Sequence, residues 1–253
     1  MASSVSVILN EVDEEATFHC EALADRFPDA RRIDYPAGER LDPTDADAVV
    51  LTGSTAGVYE RDDHPWIDEE IELIRTLVEQ GIPILGVCFG HQIVNVALGG
   101  SVDPGEMTAG LVEVELADRP LFEGVGSARR NAPRNGRVAR DYVPRTIRAG
   151  KAREKTGSEA TRETKREPAV PALHGDRVTE MGEGLDRIAA ADHAEIFGTA
   201  HRERPVWTVQ FHPELDADLT DELAAFDWQM NGFSWAEVSA HRVFENFRHL
   251  ADA

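Results

Sequence analysis

The sequence predicts an α/β protein built in three layers, with a mostly parallel central sheet covered by helices on both faces. Three observations lead there. Short apolar runs alternate along the chain with stretches of helical periodicity, the order that a parallel sheet with crossover helices requires. The runs Val5–Leu9 and Pro83–Cys88 read as buried strands, and a third apolar run, Asp47–Leu51, feeds a turn of small residues. The 253 residues suffice for one such domain with a sizeable core, so a single domain over residues 1–253 is expected.

Taken in order, Val5–Leu9 is the first strand. Glu14–Phe27 is an amphipathic helix, with Phe18, Ala22, Leu23 and Phe27 at helical spacing and Cys20 as a small side chain near the core. Arg32–Tyr35 is a short strand. Asp47–Leu51 leads into Thr52-Gly53-Ser54. A helix over Pro65–Gln80 follows, its apolar face made by Ile67, Ile71, Ile74 and Leu77 and its stop by Gly81. The acidic Asp62-Asp63-His64 in front of it reads as a cap rather than a metal cluster. Pro83–Cys88 is a strand ending in a sharp turn, and Phe89–Leu98 is a helix closed by Gly99-Gly100. Val112–Leu116 alternates apolar and acidic residues as a half-exposed strand does. Ile188–Ala190 and Val206–Phe211 are further strands, and Leu219–Gln229 and Trp235–Leu250 carry helical patterns.

The chain carries a net charge of −21, from 47 acidic against 26 basic residues. Phosphate backbones and anionic lipid surfaces would be repelled, which argues against nucleic acid or a membrane as partner. No apolar stretch approaches the ~20 residues of a membrane helix, and the first residues lack the basic flank and apolar core of a targeting signal. With only Cys20 and Cys88, no disulfide framework is expected and a cytoplasmic setting fits. Outside residues 127–167 lysine is absent while 42 acidic residues remain. Such a carboxylate surface, with arginine in place of lysine, resembles halophilic proteins, in which molar salt screens charge over ~3 Å. An acidic enzyme from a GC-rich genome has the same composition.

Residues 127–167 stand apart. They hold 13 of the 26 basic residues and all three lysines, Lys151, Lys155 and Lys165, for a net +8 against −29 elsewhere. Their substantial apolar residues are Val138, Tyr142, Val143 and Ile147, too few to offset the entropy of ordering the chain. We expect a disordered or loosely docked insertion. A locally shifted reading frame and a basic arm for RNA or an acidic partner are the other readings.

The strongest chemical signal is Leu85-Gly86-Val87-Cys88-Phe89-Gly90-His91-Gln92. Glycines two residues either side of a nucleophile, between a β-run and a helix, are what a nucleophile elbow needs. The turn forces its central residue into an unfavourable backbone conformation, and flanking side chains would collide. It also sets the sulfur at a helix N-terminus, where the macrodipole favours thiolate. A thiolate needs a base, and the base an orienting partner. Val209-Gln210-Phe211-His212-Pro213-Glu214 offers both, since positions two apart share a face in extended geometry and Glu214 can steer the His212 imidazole. The turn Thr52-Gly53-Ser54-Thr55 could present backbone N–H groups to a developing oxyanion, with the N–H of Phe89 as a further donor.

These three elements in this order resemble the class I glutamine amidotransferases, and among them the glutaminase domain of GMP synthases. The resemblance covers residues 4–125 and 170–216, and His174-Gly175-Asp176 adds to it. It implies a flavodoxin-like fold and hydrolysis of L-glutamine to glutamate and ammonia, with no cofactor and no metal. It further implies that Cys88 forms the glutamyl thioester, His212 shuttles protons and Glu214 orients His212. Backbone N–H groups at Gly53, Ser54 and Phe89 would bind the oxyanion; Gln92 and the Gly175 backbone would hold the substrate. The family commonly has two glycines where this chain has Gly53-Ser54, which a backbone donor tolerates if the serine conformation is an allowed one. The basic segment also lengthens the path from Gly124 to His174, which puts the placing of Gly175 in question. Neither a Ser-Gly-Gly-x-Asp-Ser loop nor a Walker-type phosphate loop is present, so ammonia would pass to a separate ATP-dependent synthetase. The competing readings are a γ-glutamyl peptidase or hydrolase using the same triad, and a non-catalytic regulatory subunit. The remaining histidines His19, His193, His201, His241 and His249 read as surface or core residues, and Trp207, Trp228 and Trp235 as packing groups.

Overall fold

The computed structural model describes residues 5–126 and 167–252. The basic segment therefore lies outside the described residues, apart from Glu167. Strands and helices follow as β1 (Val5–Leu9), α1 (Phe18–Asp25), β2 (Arg31–Asp34), β3 (Ala48–Leu51), α2 (Trp66–Gln80), β4 (Ile84–Val87), α3 (Phe89–Ala97) and β5 (Ser101–Leu116). After the basic segment come β6 (Ala169–Glu180), β7 (Leu185–Ala191), β8 (Ala194–His201), β9 (Val206–Val209), α4 (Thr220–Leu223) and α5 (Arg242–Ala251).

Nine strands form one sheet in the order β2-β1-β3-β4-β9-β8-β6-β5-β7. The first five run parallel. The other four are joined to β9 and to one another in antiparallel fashion. The expectation of a mostly parallel sheet is thus corrected to a mixed one, and connection chemistry explains it. Parallel neighbours need a crossover of a dozen or more residues, which α1, α2 and α3 supply. The turn Asp192-His193 between β7 and β8 is short enough only for a hairpin. The acidic–apolar alternation at Val112–Leu116 belongs to this antiparallel half, where one face meets solvent.

In the parallel half, alternate residues of each strand feed opposite layers. Val7, Val50, Leu85 and Val87 pack with Leu23 of α1, with Phe27 just past its end, and with Phe244 and Phe247 of α5. Ile8, Val49, Leu51 and Ile84 pack with Ile67, Ile71 and Ile74 of α2 and Ile93 and Val94 of α3. Each fully buried side chain of this size contributes ~1.5–3 kcal/mol. Helix α2 stops at Gly81, whose φ of 74° is left-handed. Its start carries no side-chain cap; the Ile67 N–H donates to the His64 carbonyl at 3.0 Å, and Asp68 and Glu69 face the dipole instead of Asp62 and Asp63.

The C-terminal helical patterns shorten to α4 and α5, because Asp227 and Asn231 take left-handed φ values of 53° and 50° between them. There Trp228 and Trp235 stack at 5.6 Å, and with Phe226 they cover Leu173, Leu215 and Leu223. Among the described residues no helix is long and apolar enough to cross a membrane.

Candidate active site

Four parallel strands deliver their carboxyl ends to one place, where α/β sheets bind ligands. Beyond β1 lies Glu11, beyond β3 the turn Thr52–Thr55, beyond β4 Cys88, and beyond β9 His212. A pocket of about 280 Å³ opens there, and its lining includes His19, Ser54, Cys88, Gln92, Gly175 and His212.

Cys88 sits between β4 and α3 with φ 53° and ψ −106°, a conformation that costs a non-glycine residue on the order of 1–3 kcal/mol. The strain is held by its surroundings. Its N–H donates to the Val209 carbonyl at 2.9 Å, and the Gly90 N–H donates to the Thr52 carbonyl at 3.0 Å. Both flanking glycines are required by close approach. A Cβ on Gly86 would lie 2.3 Å from the Gly90 carbonyl oxygen, and one on Gly90 would lie 2.5 Å from that of Leu51.

His212 and Glu214 are buried with side-chain exposures of 2% and 0%, and the His212 Nδ1–H donates to Glu214 Oε1 at 2.6 Å. They meet through a turn, not the extended alternation expected from their spacing: the Leu215 N–H closes onto the His212 carbonyl at 3.3 Å. On the other side of the ring, Nε2 lies 3.0 Å from the Leu173 carbonyl oxygen. A carbonyl only accepts, so Nε2 carries hydrogen, and with Nδ1 donating to Glu214 the ring is an imidazolium. Burial works against that charge, but the Glu214 carboxylate and the Cys88 sulfur outweigh it and hold His212 well above its ordinary pKa. The sulfur lies 3.8 Å from the same Leu173 carbonyl, so thiol and imidazole gather at one peptide oxygen.

The turn after β3 faces this pair. Among the described residues the N–H groups of Gly53, Ser54 and Phe89 have no backbone partner. The Gly53 α-carbon is wedged between two imidazoles: an added Cβ would lie 3.1 Å from His19 and 3.2 Å from His212. Ser54 has no left-handed φ, so serine fits where a second glycine is common.

A family model for class I glutamine amidotransferases matches residues 21–230. The chain belongs to that family. A GMP synthase from Gibberella zeae is 26% identical over 212 residues, which cover 77% of this chain but 30% of the relative. The chain thus spans about a third of the length of the curated relatives it matches. A glutamine amidotransferase from Thermotoga maritima superposes with a TM-score of 0.61 at 22% identity, covering 99% of this chain and 95% of that one. A glutamine amidotransferase from Methylobacillus flagellatus gives 0.63 at 16% identity, covering 100% of this chain and 92% of that one. These likenesses establish a class I amidotransferase fold.

Within this family member, Gln92 reaches the pocket but already spends its amide on the protein. Its Nε2 donates to the Asp176 carbonyl at 3.2 Å and to Gln210 Oε1 at 3.3 Å, and Gln210 Nε2 in turn donates to the Cys88 sulfur at 3.6 Å. Gln210 is therefore a neighbour of the sulfur that sequence reasoning left without a role, though it lies inside the Gln-Phe-His-Pro-Glu run. Gly175 lines the pocket at a break in the β5–β6 register: His174 pairs with Thr108 and Asp176 with Pro104, so β5 bulges opposite it. His91, beside the elbow, serves the core: Nδ1 meets Thr208 Oγ1 at 2.7 Å, and burial holds it neutral, with its pKa lowered to about 3. His174 is likewise held neutral by burial, with its pKa lowered to about 4, and meets His193 at 3.1 Å.

The largest departure from expectation is His19. Read as a scattered histidine, it lines the pocket with its ring 5.5 Å from that of His212. The signal was its helical spacing: His19 and Leu23 share the buried face of α1. His19, His212 and Glu214 bring ligand-type atoms within 4.8 Å of one another. Every ring nitrogen there already has a protein partner, so the cluster reads as a hydrogen-bonded unit.

Proposed function

We propose that this chain is a glutaminase in which Cys88, His212 and Glu214 form a catalytic triad. The observation that carries the reading is the strained elbow that brings the Cys88 sulfur to the same Leu173 carbonyl oxygen as His212 Nε2, at 3.8 and 3.0 Å. The thiolate attacks the δ-carbon of glutamine, and the carboxamide oxygen becomes an oxyanion beside the free N–H groups of Gly53, Ser54 and Phe89. As the adduct collapses, the C–N bond breaks and His212 gives its Nε2 proton to the departing nitrogen, which leaves as ammonia. A γ-glutamyl thioester on Cys88 remains. His212, now neutral, takes a proton from water as that water attacks the thioester carbonyl, and glutamate leaves with the thiolate restored. Glu214 keeps Nδ1 protonated throughout and so fixes which nitrogen faces the reaction.

The ammonia passes to a separate ATP-dependent synthetase. The likeness to GMP synthases favours a GMP-forming partner, with the chain as one amidotransferase domain carrying the basic segment as an insertion. Two buried, unpaired cysteines suit a reducing cytoplasm. The acidic surface suits a salt-rich one, where stability rises with molar salt.

The test is ammonia release from L-glutamine against a panel of γ-glutamyl peptides, with and without a synthetase. Turnover of glutamine that the synthetase increases supports the reading. Turnover of γ-glutamyl peptides in preference to glutamine would make the protein a γ-glutamyl hydrolase with the same triad. Turnover of neither would leave a regulatory subunit.

A further inference from the structure

Resting on the glutaminase reading, we propose that His19, held by Glu11, is a positioning residue of the same site: a fixed positive charge that orders the Gly53–Thr55 turn and favours proton release from His212.

The geometry begins at Glu11. Its carboxylate accepts from the N–H groups of Val12 and Asp13 at 2.9 Å each, from the Thr55 N–H at 3.1 Å and from the Thr55 hydroxyl. It also binds His19 Nε2 at 2.7 Å, with side-chain exposures of 6% for His19 and 2% for Glu11. One carboxylate thus ties the end of β1 to α1 and to the turn that offers N–H groups to the pocket. The His19 ring completes the clamp by resting against the Gly53 α-carbon.

The charge follows from the same contacts. Burial disfavours an imidazolium at position 19, but the Cys20 sulfur and the Glu11 carboxylate outweigh it and raise its pKa. The five donors around Glu11 overcome its own burial and lower its pKa to about 2. Both groups are therefore charged across the neutral range. A buried ion pair adds little stability over an apolar one. This pair nonetheless sits on the pocket wall with its cationic ring against His212. The groups facing His19 are Glu11, Cys20 on its own helix and His212; those facing His212 are Glu214, Cys88, His19 and, further off, neutral His174. Glu214 and the sulfur bind the His212 proton tightly, and a base that never lets go cannot protonate a leaving group. His19 is the one cation among these neighbours. Its repulsion pushes the other way.

The experiment is the pH profile of kcat/KM for His19→Gln, which keeps a hydrogen bond to Glu11 and loses the charge. Both limbs are expected to move to higher pH, by about one pH unit. A second variant, Glu11→Gln, keeps the shape and weakens the hold on the His19 proton; its limbs should move the same way. Activity that falls equally at every pH, with limbs in place in whichever variants fold, would overturn the proposal in favour of a purely structural pair. The alkylation rate of Cys88 by iodoacetamide against pH, resolved by peptide mass, gives the same answer without turnover. A wild-type protein that releases no ammonia therefore defeats the glutaminase reading alone, while unmoved alkylation profiles defeat this one.

Discussion

Two groups of cysteine, histidine and glutamate share one wall of this molecule, and only one has the geometry of a nucleophile. In Cys88–His212–Glu214 the imidazole meets its carboxylate at 2.6 Å; in Cys20–His19–Glu11 it does so at 2.7 Å. The sulfurs differ in their backbones. Cys88 stands on a strained turn at the end of β4 and opens into the pocket. Cys20 lies within α1 and turns its thiol inward to the Thr52 hydroxyl at 3.1 Å. Gln210 offers an N–H to the Cys88 sulfur, whereas a hydroxyl and the Gly53 carbonyl surround the other. Residue type sets what a group could do; backbone placement decides whether anything can approach it.

The sharpest way to break this comparison is to remove each sulfur in turn. Cys88→Ala should lower ammonia release by at least ~10⁴-fold, since the step it performs has no substitute. The folded state should survive, because the substitution takes one atom from the pocket wall. Full activity in that variant would end the triad reading.

Next in size is Glu214→Gln. The amide keeps the volume but can present N–H to Nδ1, favouring the tautomer with its hydrogen on Nε2, where the ring then cannot accept a proton. A fall of ~10²–10⁴-fold in kcat, with little change in KM, is expected. A loss confined to KM would instead place Glu214 in substrate binding.

How much of this was legible depends on how far apart the partners lie in the chain. The elbow and the His212–Glu214 pair are written in short motifs, because a tight turn and a two-residue spacing fix geometry locally. The clashes at Gly86 and Gly90 confirm the steric reason for the motif. The three buried runs β1, β3 and β4 were legible for the same reason. The antiparallel half was not. Strand β5 pairs Ser101 with Glu180 across the basic segment, and periodicity within a strand says nothing of such a partner. Glu11 and His19 escaped notice for a related reason. Their meeting depends on the angle at which α1 leaves β1, and eight residues of loop and helix carry no ligand-like spacing. Gln210 was hidden differently, as an amide inside an apolar run.

Behind the second group lies a polar network that must stay uncharged, and its pH dependence sharpens the contrast with the charged pairs in front. Glu70 is fully buried and accepts from Asn10 Nδ2 at 3.1 Å, while the Asn10 N–H donates to Thr52 Oγ1 at 3.0 Å. Glu70 Oε2 and Asn10 Oδ1 are both buried without a partner. A proton on Glu70 supplies a donor where none is present, and burial raises its pKa to about 8. Because the folded protein holds this proton more tightly than the unfolded chain, the group's contribution is fully favourable below pH 4.5 and is lost as pH climbs toward 8. Glu70→Gln stays neutral and should be the more stable protein above neutrality, by on the order of 3 kcal/mol at pH 7. Urea midpoints of both proteins from pH 5 to 8 check this; parallel curves would mean that Glu70 ionises freely in the fold.

The smallest expected effect belongs to Cys20→Ala, and its smallness is what the comparison demands. Loss of the sulfur removes a weak hydrogen bond to Thr52 and a contact with His19 Nδ1 at 3.6 Å. It leaves the Glu11–His19 pair, the Thr55 contacts and the Gly53 wedge in place. Thr52 keeps its own partners, accepting from the Asn10 N–H and donating to the Gly53 carbonyl at 3.0 Å. The cavity is that of a single small atom within α1, so a stability cost of ~1–2 kcal/mol is expected, with kcat/KM within about threefold of wild type. A large loss of activity would mean that the Glu11 carboxylate cannot hold the charge on His19 without the Cys20 sulfur beside it. The two cysteines would then act as one unit, and the division between a working group and its buried counterpart would fall.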